Sequence, residues 1–275
     1  MAGAAGVERA AEVLASAQAF LFTAGAGMGV DSGLPDFRGD EGFWRAYPPF
    51  RRLGLGFMDL ANPAWFEDDP ELAWGFYGHR LELYRRTVPH RGFAVLRRLA
   101  ERSGRAFVFT SNVDGQFQRA GFEEDEVAEC HGSIHHLQCL GSCGIGIFAN
   151  AASVVVDPAS FRARPPLPAC PRCGALARPN ILMFGDWGWD DARSRAQQQR
   201  LARFLEAAPP GLCVIECGAG TAIPTVRLTS ERAANRHRGS LVRINVREPE
   251  VPAGHVGLAL GALEALEGIE ALLGP

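Results

Sequence analysis

A glycine-rich stretch directly after a short apolar run constrains this chain more than any other feature. Residues 19–22 read Ala-Phe-Leu-Phe, a run typical of a buried parallel strand, and Gly25, Gly27 and Gly29 follow at alternate positions. Glycine lets backbone N–H groups approach a ligand's phosphates, because no Cβ lies in the way. This order is the layout of a nucleotide-binding turn, although Val30 stands where the dinucleotide fingerprint has its third glycine.

Strand-like and helical patterns alternate along most of the chain. Short apolar runs occur at 105–110, 126–130, 181–184, 212–217 and 240–245, and sharp turns or helical segments separate them. This alternation predicts an α/β fold with a Rossmann-like, doubly wound parallel sheet. In such a sheet we expect functional loops at the carboxyl ends of the strands.

Four of the seven cysteines form two close pairs separated by a turn-rich segment. That spacing is typical of a zinc ribbon or a treble-clef-like site, in which four thiolates complete a tetrahedral shell. Such a shell leaves no position for a reacting water, so the predicted zinc is structural; four nearby free thiols are the alternative. The predicted ligands are Cys139, Cys143, Cys170 and Cys173.

The zinc pattern predicts a small module inserted into a larger domain. The nucleotide-binding domain is expected to comprise residues 1–134 and 179–275, and the zinc module residues 135–178. Residues from about 40 to 88 include a long stretch rich in glycine, proline and aromatic side chains, followed by a helix. A segment of this length in a compact protein suggests a mobile lid or a binding segment.

Composition narrows the possible partners. The net charge is −3 and the isoelectric point about 6.2, so no overall positive field favours nucleic acid or an anionic membrane. No apolar run approaches the roughly eighteen residues needed to span a bilayer, and the first residues lack the pattern of a signal peptide. We expect a soluble cytoplasmic protein that binds neither nucleic acid nor membrane. The oligomeric state stays open.

Residues 32–39 extend the glycine loop with the run Ser-Gly-Leu-Pro-Asp-Phe-Arg-Gly. Here the sequence resembles the sirtuins, the NAD-dependent protein-lysine deacylases, whose signature reads roughly GAG-x-S-x-x-SGIPDFRG. Gly29 stands where the family usually has Ser, and Met28 and Leu34 replace Ile. The resemblance implies that NAD is the cofactor and that its contacts include Gly25, Ala26, Gly27, Met28, Asp36, Phe37 and Arg38.

Two further motifs follow in the family's order. Thr110-Ser-Asn-Val-Asp114 resembles the sirtuin TQNID motif, so Asn112 and Asp114 are expected to line the nicotinamide-ribose pocket, with Ser111 in place of Gln. His131 and the glycine after it match the family's catalytic His-Gly. Histidine suits a base that activates a ribose hydroxyl, because its pKa lies near working pH. The resemblance thus implies catalytic roles for His131 and Asn112.

The remaining matches concern the rest of the cofactor and the substrate. Residues 178–186 resemble the RPxVVxFGE strand, against which the substrate peptide pairs, so Phe184 and Gly185 are predicted substrate contacts. Residues 218–221 lie where sirtuins carry a GTS loop, and this part of the match is loose. The further predicted cofactor contacts are Gly218, Ala219, Gly220, Asn245 and Glu248.

Tyr77 and Arg80 indicate which acyl group on the substrate lysine the chain prefers. One sirtuin class carries Tyr-x-x-Arg at this place and uses it to bind negatively charged acyl groups. Residues three apart lie on one face of a helix, so the phenol and the guanidinium can jointly hold a carboxylate. The alternative is a tyrosine in the helix core and an arginine in solvent.

The leading hypothesis is an NAD-dependent deacylase of acylated-lysine proteins or peptides, giving nicotinamide and O-acyl-ADP-ribose. The acyl group would be acetyl or an acidic group such as succinyl or malonyl. Ser111 and Gly29 motivate an alternative, mono-ADP-ribosyl transfer or NAD hydrolysis at the same site. A non-catalytic NAD-binding protein is a second alternative.

Overall fold

The computed structural model describes residues 2–35, 43–44, 47–52 and 54–274. The predicted cofactor contacts Asp36, Phe37 and Arg38 lie outside the described residues. The strands are β1 Phe20–Ala24, β2 Ala106–Thr110, β3 Val127–Glu129, β4 Gly132–Cys139, β5 Ile147–Ala149, β6 Ala177–Ile181, β7 Cys213–Cys217, β8 Ser240–Ile244 and β9 Val256–Leu258.

Helices connect most of these strands. The α-helices are α1 Ala2–Ala15, α2 Pro48–Arg52, α3 Phe57–Leu60, α4 Trp65–Asp68, α5 Pro70–Arg86, α6 Arg91–Ser103, α7 Gln116–Arg119, α8 Ala192–Ala207, α9 Thr225–Arg236 and α10 Ala262–Leu273. Within the described ranges, 3₁₀ helices span Ala26–Ser32 and Glu124–Glu126. Among the described residues, no helix has both the length and the apolar character needed to cross a membrane.

The larger sheet confirms the predicted doubly wound architecture. Its strand order is β3-β2-β1-β7-β8-β9, and neighbouring strands are parallel. β1 and β7 are fully buried and mostly apolar, as expected for strands covered on both faces; Thr23 and Glu216 are their polar residues. The chain winds from β1 toward β3 and later from β7 toward β9. The point where the winding direction changes therefore lies between β1 and β7, where ligands bind in open α/β sheets.

A second body stands beside the carboxyl edge of this sheet. It contains the antiparallel sheet β5-β4-β6 and one apolar cluster that also includes the side chains of α5. We call this cluster, with the elements that carry it, the aromatic body. Its buried aromatic residues are Phe43, Tyr47, Phe50, Phe66, Trp74, Phe76, Tyr77, Tyr84 and Phe161.

The segment expected to form a lid contributes largely to this core. Phe43, Tyr47 and Phe50 are each 0% exposed, and Phe43 and Phe50 stack with their ring centroids 6.1 Å apart. The aromatic composition of the segment is therefore explained by packing. α5 begins at Pro70, where the preceding Asp69 caps it by accepting a hydrogen bond from the Leu72 N–H at 3.2 Å.

Candidate active site

The loops that follow β1 and β7 touch at the carboxyl edge of the parallel sheet. The Gly25 N–H donates to the Cys217 carbonyl at 3.0 Å, and the Gly27 N–H donates to the Gly218 carbonyl at 3.0 Å. A Cβ at Gly27 would lie 2.6 Å from the Gly218 Cα, and Gly218 itself has a φ of +64°. These glycines therefore allow two backbone segments to meet. The sequence pattern predicts only a role in phosphate binding for them.

The loop after β2 joins the same edge. Asn112 Nδ2 donates to the Gly25 carbonyl at 3.0 Å, and the Ser111 N–H donates to the Ala24 carbonyl at 3.1 Å. The structure thus brings together the glycine loop and the Asn-x-Asp turn, which lie far apart in the sequence. We call these three loops, residues 24–33, 110–114 and 217–221, the sheet rim.

His131 lies at the junction between the sheet rim and the aromatic body. Its carbonyl accepts a hydrogen bond from the Leu182 N–H at 2.9 Å. Gly132 has a φ of +77°, and a Cβ there would lie 2.1 Å from the Asn180 carbonyl oxygen, so only glycine fits after the histidine. Burial lowers the pKa of His131, although a hydrogen bond to the Ser111 backbone partly offsets this shift. The imidazole is neutral at pH 7, as a general base must be.

Asp114 is buried, and its polar atoms are engaged locally. Its Oδ1 accepts from the Gln116 N–H at 2.9 Å, and its carbonyl accepts from His135 Nε2 at 2.9 Å. Burial raises the pKa of Asp114 to about 6, with hydrogen bonding from Gln116 and the charge of Arg80 opposing the shift. This carboxyl group therefore titrates close to physiological pH.

Asn245 and Glu248 join the loops after β7 and β8. Asn245 Nδ2 donates to the Ala219 carbonyl at 2.8 Å, while its Oδ1 accepts from the N–H groups of Arg247 and Glu248 at 3.0 and 3.1 Å. The Glu248 carboxylate accepts from the Thr221 N–H at 3.2 Å and from its hydroxyl at 2.6 Å. Both side chains thus fix the second glycine loop.

Tyr77 and Arg80 both lie inside the aromatic body. Tyr77 is 1% and Arg80 5% exposed, so an arginine in solvent, the alternative interpretation of the motif, is wrong. The guanidinium carbon lies 5.1 Å from the Phe76 ring centroid and 5.7 Å from that of Tyr77. Arg80 Nε and Nη2 donate to the Tyr84 hydroxyl at 3.0 and 2.7 Å. The Tyr77 hydroxyl is buried and has no hydrogen-bond partner among the described residues.

A buried ion pair shapes the predicted substrate strand. Arg178 on β6 binds Asp186 through two hydrogen bonds of 2.7 and 2.9 Å, and both side chains are at most 1% exposed. The Met183 N–H donates to the same carboxylate at 3.3 Å. Between these residues Phe184 is half-buried and its N–H donates to the Ala61 carbonyl at 2.8 Å, while Gly185 has a φ of +67°. The pair closes the turn that carries Phe184 and Gly185.

The four predicted zinc ligands converge, and all are free thiols. Their Sγ atoms lie within 4.8 Å of one another, with 3.5 Å between Cys139 and Cys173 and 3.6 Å between Cys143 and Cys170. A tetrahedron with Zn–S bonds of about 2.3 Å has edges of about 3.8 Å, so the residues fit zinc. The Gly141 N–H donates to Cys139 Sγ at 3.2 Å, the kind of outer contact that orients a thiolate ligand.

His90 supports the first glycine loop and was not found from the sequence. Its Nε2 donates to the Met28 carbonyl at 2.9 Å, and its Nδ1 accepts the Gly92 N–H at 3.0 Å at the start of α6. Its own N–H donates to Ser32 Oγ at 2.9 Å. A polar residue directly before a helix was the available signal, but the partner lies 62 positions away.

Comparison with known proteins places the chain in a family. A model of the Sir2 family matches residues 25–203. The NAD-dependent protein deacylase 1 of Archaeoglobus fulgidus is 33% identical over 195 residues, which is 70% of each chain. The NAD-dependent protein deacylase of Thermus thermophilus is 30% identical over 265 residues, 94% of this chain and 92% of that one.

The fold agrees with these matches. A solved complex of a Sir2 homologue with NAD superposes with a TM-score of 0.74 and 26% identity, covering 96% of this chain and 93% of the other. The match extends over both the parallel sheet and the inserted cysteine module. The chain belongs to the Sir2 family.

Proposed function

We propose that the chain is an NAD-dependent protein-lysine deacylase that releases nicotinamide and transfers the acyl group to ADP-ribose. The observation that carries the proposal is the meeting of Asn112, the first glycine loop and His131 at one edge of the sheet. Asn112 contacts the Gly25 carbonyl, and the imidazole of His131 contacts the Ser111 backbone. The relatives named as deacylases support the same reaction class.

The residues present fit the cofactor. The two touching loops have no Cβ at Gly25, Gly27 and Gly218, and they lie at the switch point of the sheet, where dinucleotides bind in folds of this class. NAD, when bound, supplies the ribose carbon that nicotinamide leaves and that receives the acyl oxygen. Asn112 would orient the nicotinamide side, and the loops fixed by Asn245 and Glu248 would hold the adenosine side.

His131 is the proposed general base. The ring is neutral because burial lowers its pKa. A neutral imidazole can take a proton from a ribose hydroxyl. The cysteine module takes no part in this chemistry: four thiolates would hold zinc with a closed shell.

The acyl-lysine peptide is proposed to lie along residues 182–185. β6 has a sheet partner on only one side among the described strands, and the turn after it is fixed by the Arg178–Asp186 pair. An edge strand suits the addition of an extended peptide, and because the N–H groups of Leu182, Met183 and Phe184 bond within the chain, the peptide would donate to carbonyl groups of this segment.

We further propose that acidic acyl groups such as succinyl or malonyl are preferred. The buried guanidinium of Arg80 and the buried phenol of Tyr77 lie on one face of α5, and the Tyr77 hydroxyl has no hydrogen-bond partner among the described residues. Leaving a buried hydroxyl unsatisfied costs about 1–3 kcal/mol, and a ligand carboxylate would remove that cost. Acetyl-lysine offers no such acceptor.

Mass spectrometry of one peptide carrying succinyl- or acetyl-lysine, incubated with NAD, tests the reaction. We expect loss of the acyl group with release of nicotinamide, and no reaction with His131→Asn. The chain contains no lysine, so any acyl group detected belongs to the peptide. Addition of ADP-ribose to protein with the acyl group intact would indicate ADP-ribosyl transfer. NAD binding without nicotinamide release would indicate a non-catalytic protein.

Arg80→Met tests the acyl preference. We expect kcat/KM for the succinyl peptide to fall at least ten-fold while that for the acetyl peptide changes little, since a charge-assisted hydrogen bond contributes about 1.5–3 kcal/mol. Equal losses for both peptides would contradict the preference and leave the deacylase proposal intact. A cytoplasmic location is also proposed, because none of the seven cysteines forms a disulfide, which suits a reducing compartment.

A further inference from the structure

We propose that Tyr84 is a positioning residue that fixes the Arg80 guanidinium for recognition of an acidic acyl group. The inference rests on the proposed function of Arg80 and extends it to a residue outside the Tyr-x-x-Arg motif. Tyr84 is four residues after Arg80 and seven after Tyr77, so the three side chains share one face of α5.

Two hydrogen bonds from Arg80 to Tyr84 hold the guanidinium in place. Arg80 Nε and Nη2 both donate to the Tyr84 hydroxyl oxygen, at 3.0 and 2.7 Å. Two donors on one acceptor fix the plane of the guanidinium as well as its position. A long, flexible side chain held in this way loses little further conformational entropy when it binds a carboxylate.

The two phenols near Arg80 differ in their contacts. Tyr84 accepts hydrogen bonds from Arg80, whereas the buried Tyr77 hydroxyl has no hydrogen-bond partner among the described residues. Tyr77 can therefore donate to a ligand without giving up a contact within the protein. This assigns ligand binding to Tyr77 and Arg80, and orientation of the arginine to Tyr84.

The surroundings keep Tyr84 in the state that this role needs. Tyr84 is 4% exposed, and its ring centroid lies 5.4 Å from the guanidinium carbon of Arg80. Burial raises the pKa of Tyr84, so the phenol stays neutral at the pH of the reaction. The Gln116 side-chain amide donates to the Tyr84 carbonyl at 3.5 Å and links this end of α5 to the loop that contains Asp114.

Tyr84→Phe isolates the role, because it removes the hydroxyl and retains the ring over Arg80. Initial rates are measured with succinyl- and acetyl-lysine versions of one peptide for wild type, Tyr84→Phe, Arg80→Met and the double variant. We expect KM for the succinyl peptide to rise about ten-fold in Tyr84→Phe. The acetyl peptide should change less than two-fold, and Tyr84→Phe should cause no further loss once Arg80 is Met.

The outcomes separate this inference from the function on which it rests. If Arg80→Met is selective for the succinyl peptide but Tyr84→Phe is not, the role of Tyr84 is refuted and the acyl preference stands. If Arg80→Met lowers both activities equally, the preference fails and the role of Tyr84 fails with it. An equal loss for both peptides in Tyr84→Phe would show a merely structural residue. If the double variant does not fold, the succinyl-specific rise in KM of Tyr84→Phe alone decides.

Discussion

The sheet rim and the aromatic body are held in place by different means. At the rim, backbone touches backbone: Gly27 and Gly218 meet where a Cβ would lie 2.6 Å from a Cα. In the body, large side chains pack around two buried guanidinium groups, those of Arg80 and Arg178. The rim therefore depends on the absence of side chains, whereas the body depends on which side chains are present. Cofactor binding and acyl selectivity should consequently respond to mutation independently.

Arg178→Met should have the largest effect on stability, and it lies in the body. It leaves the Asp186 carboxylate buried without its ion-pair partner, which typically costs about 3–5 kcal/mol. Chemical denaturation measures the loss, and KM for the peptide should rise because the turn at 183–186 loosens. The double change Arg178→Met with Asp186→Leu should recover part of the stability, since no charge is then left unpaired. If the single change costs less than 1 kcal/mol, the buried pair does not hold the turn.

Gly27→Ala is the corresponding change at the rim. Its Cβ would meet the backbone of Gly218, which cannot move aside like a side chain, so we expect a loss of about 3 kcal/mol and severely weakened NAD binding. Gly29→Ala is the matched control, because its Cβ would meet Leu34 Cδ1, a flexible side-chain end, at 3.0 Å. Calorimetry with NAD compares the two variants. Equal effects would show that contact between the loops is not what the glycines provide.

These contrasts also explain what the sequence could predict. The glycine loop, the cysteine pairs and the alternating strands are contiguous patterns, and the structure confirms the parallel sheet and the four-cysteine cluster. The aromatic residues of the segment at 43–86 were harder to interpret, because a local pattern does not show whether they cover a site or fill a core. His90 and Tyr84 went unnoticed because their roles depend on a side chain's direction and on a distant or buried partner.

Asp114→Asn should separate stability from function at the junction of the two regions. The pKa of Asp114 is raised from 3.8 to about 6, so ionisation costs folding free energy as the pH rises through about 6. Asn keeps the acceptor for the Gln116 N–H but cannot ionise. We expect a gain of about 3 kcal/mol at pH 8, where the carboxyl is ionised in both states, and no gain below about pH 3, where it is protonated in both. Denaturation at the two pH values measures this.

The steady-state kinetics of Asp114→Asn test whether Asp114 also has a functional role. If the carboxylate of Asp114 contributes to the nicotinamide pocket, KM for NAD should rise while stability improves. Unchanged kinetics would restrict Asp114 to shaping the loop.

His90→Asn should have the smallest effect, and it distinguishes two roles of one side chain at the rim. The Asn oxygen can still accept the Gly92 N–H at the start of α6, but the shorter side chain does not reach the Met28 carbonyl that His90 Nε2 contacts at 2.9 Å. We expect stability to fall by less than about 1 kcal/mol and KM for NAD to rise about three-fold, with KM for the peptide unchanged. His90→Ala removes both contacts and should cost about 1 kcal/mol more. Because His90 contacts the rim and not the aromatic body, an equal rise in both KM values would show that the two regions do not respond independently.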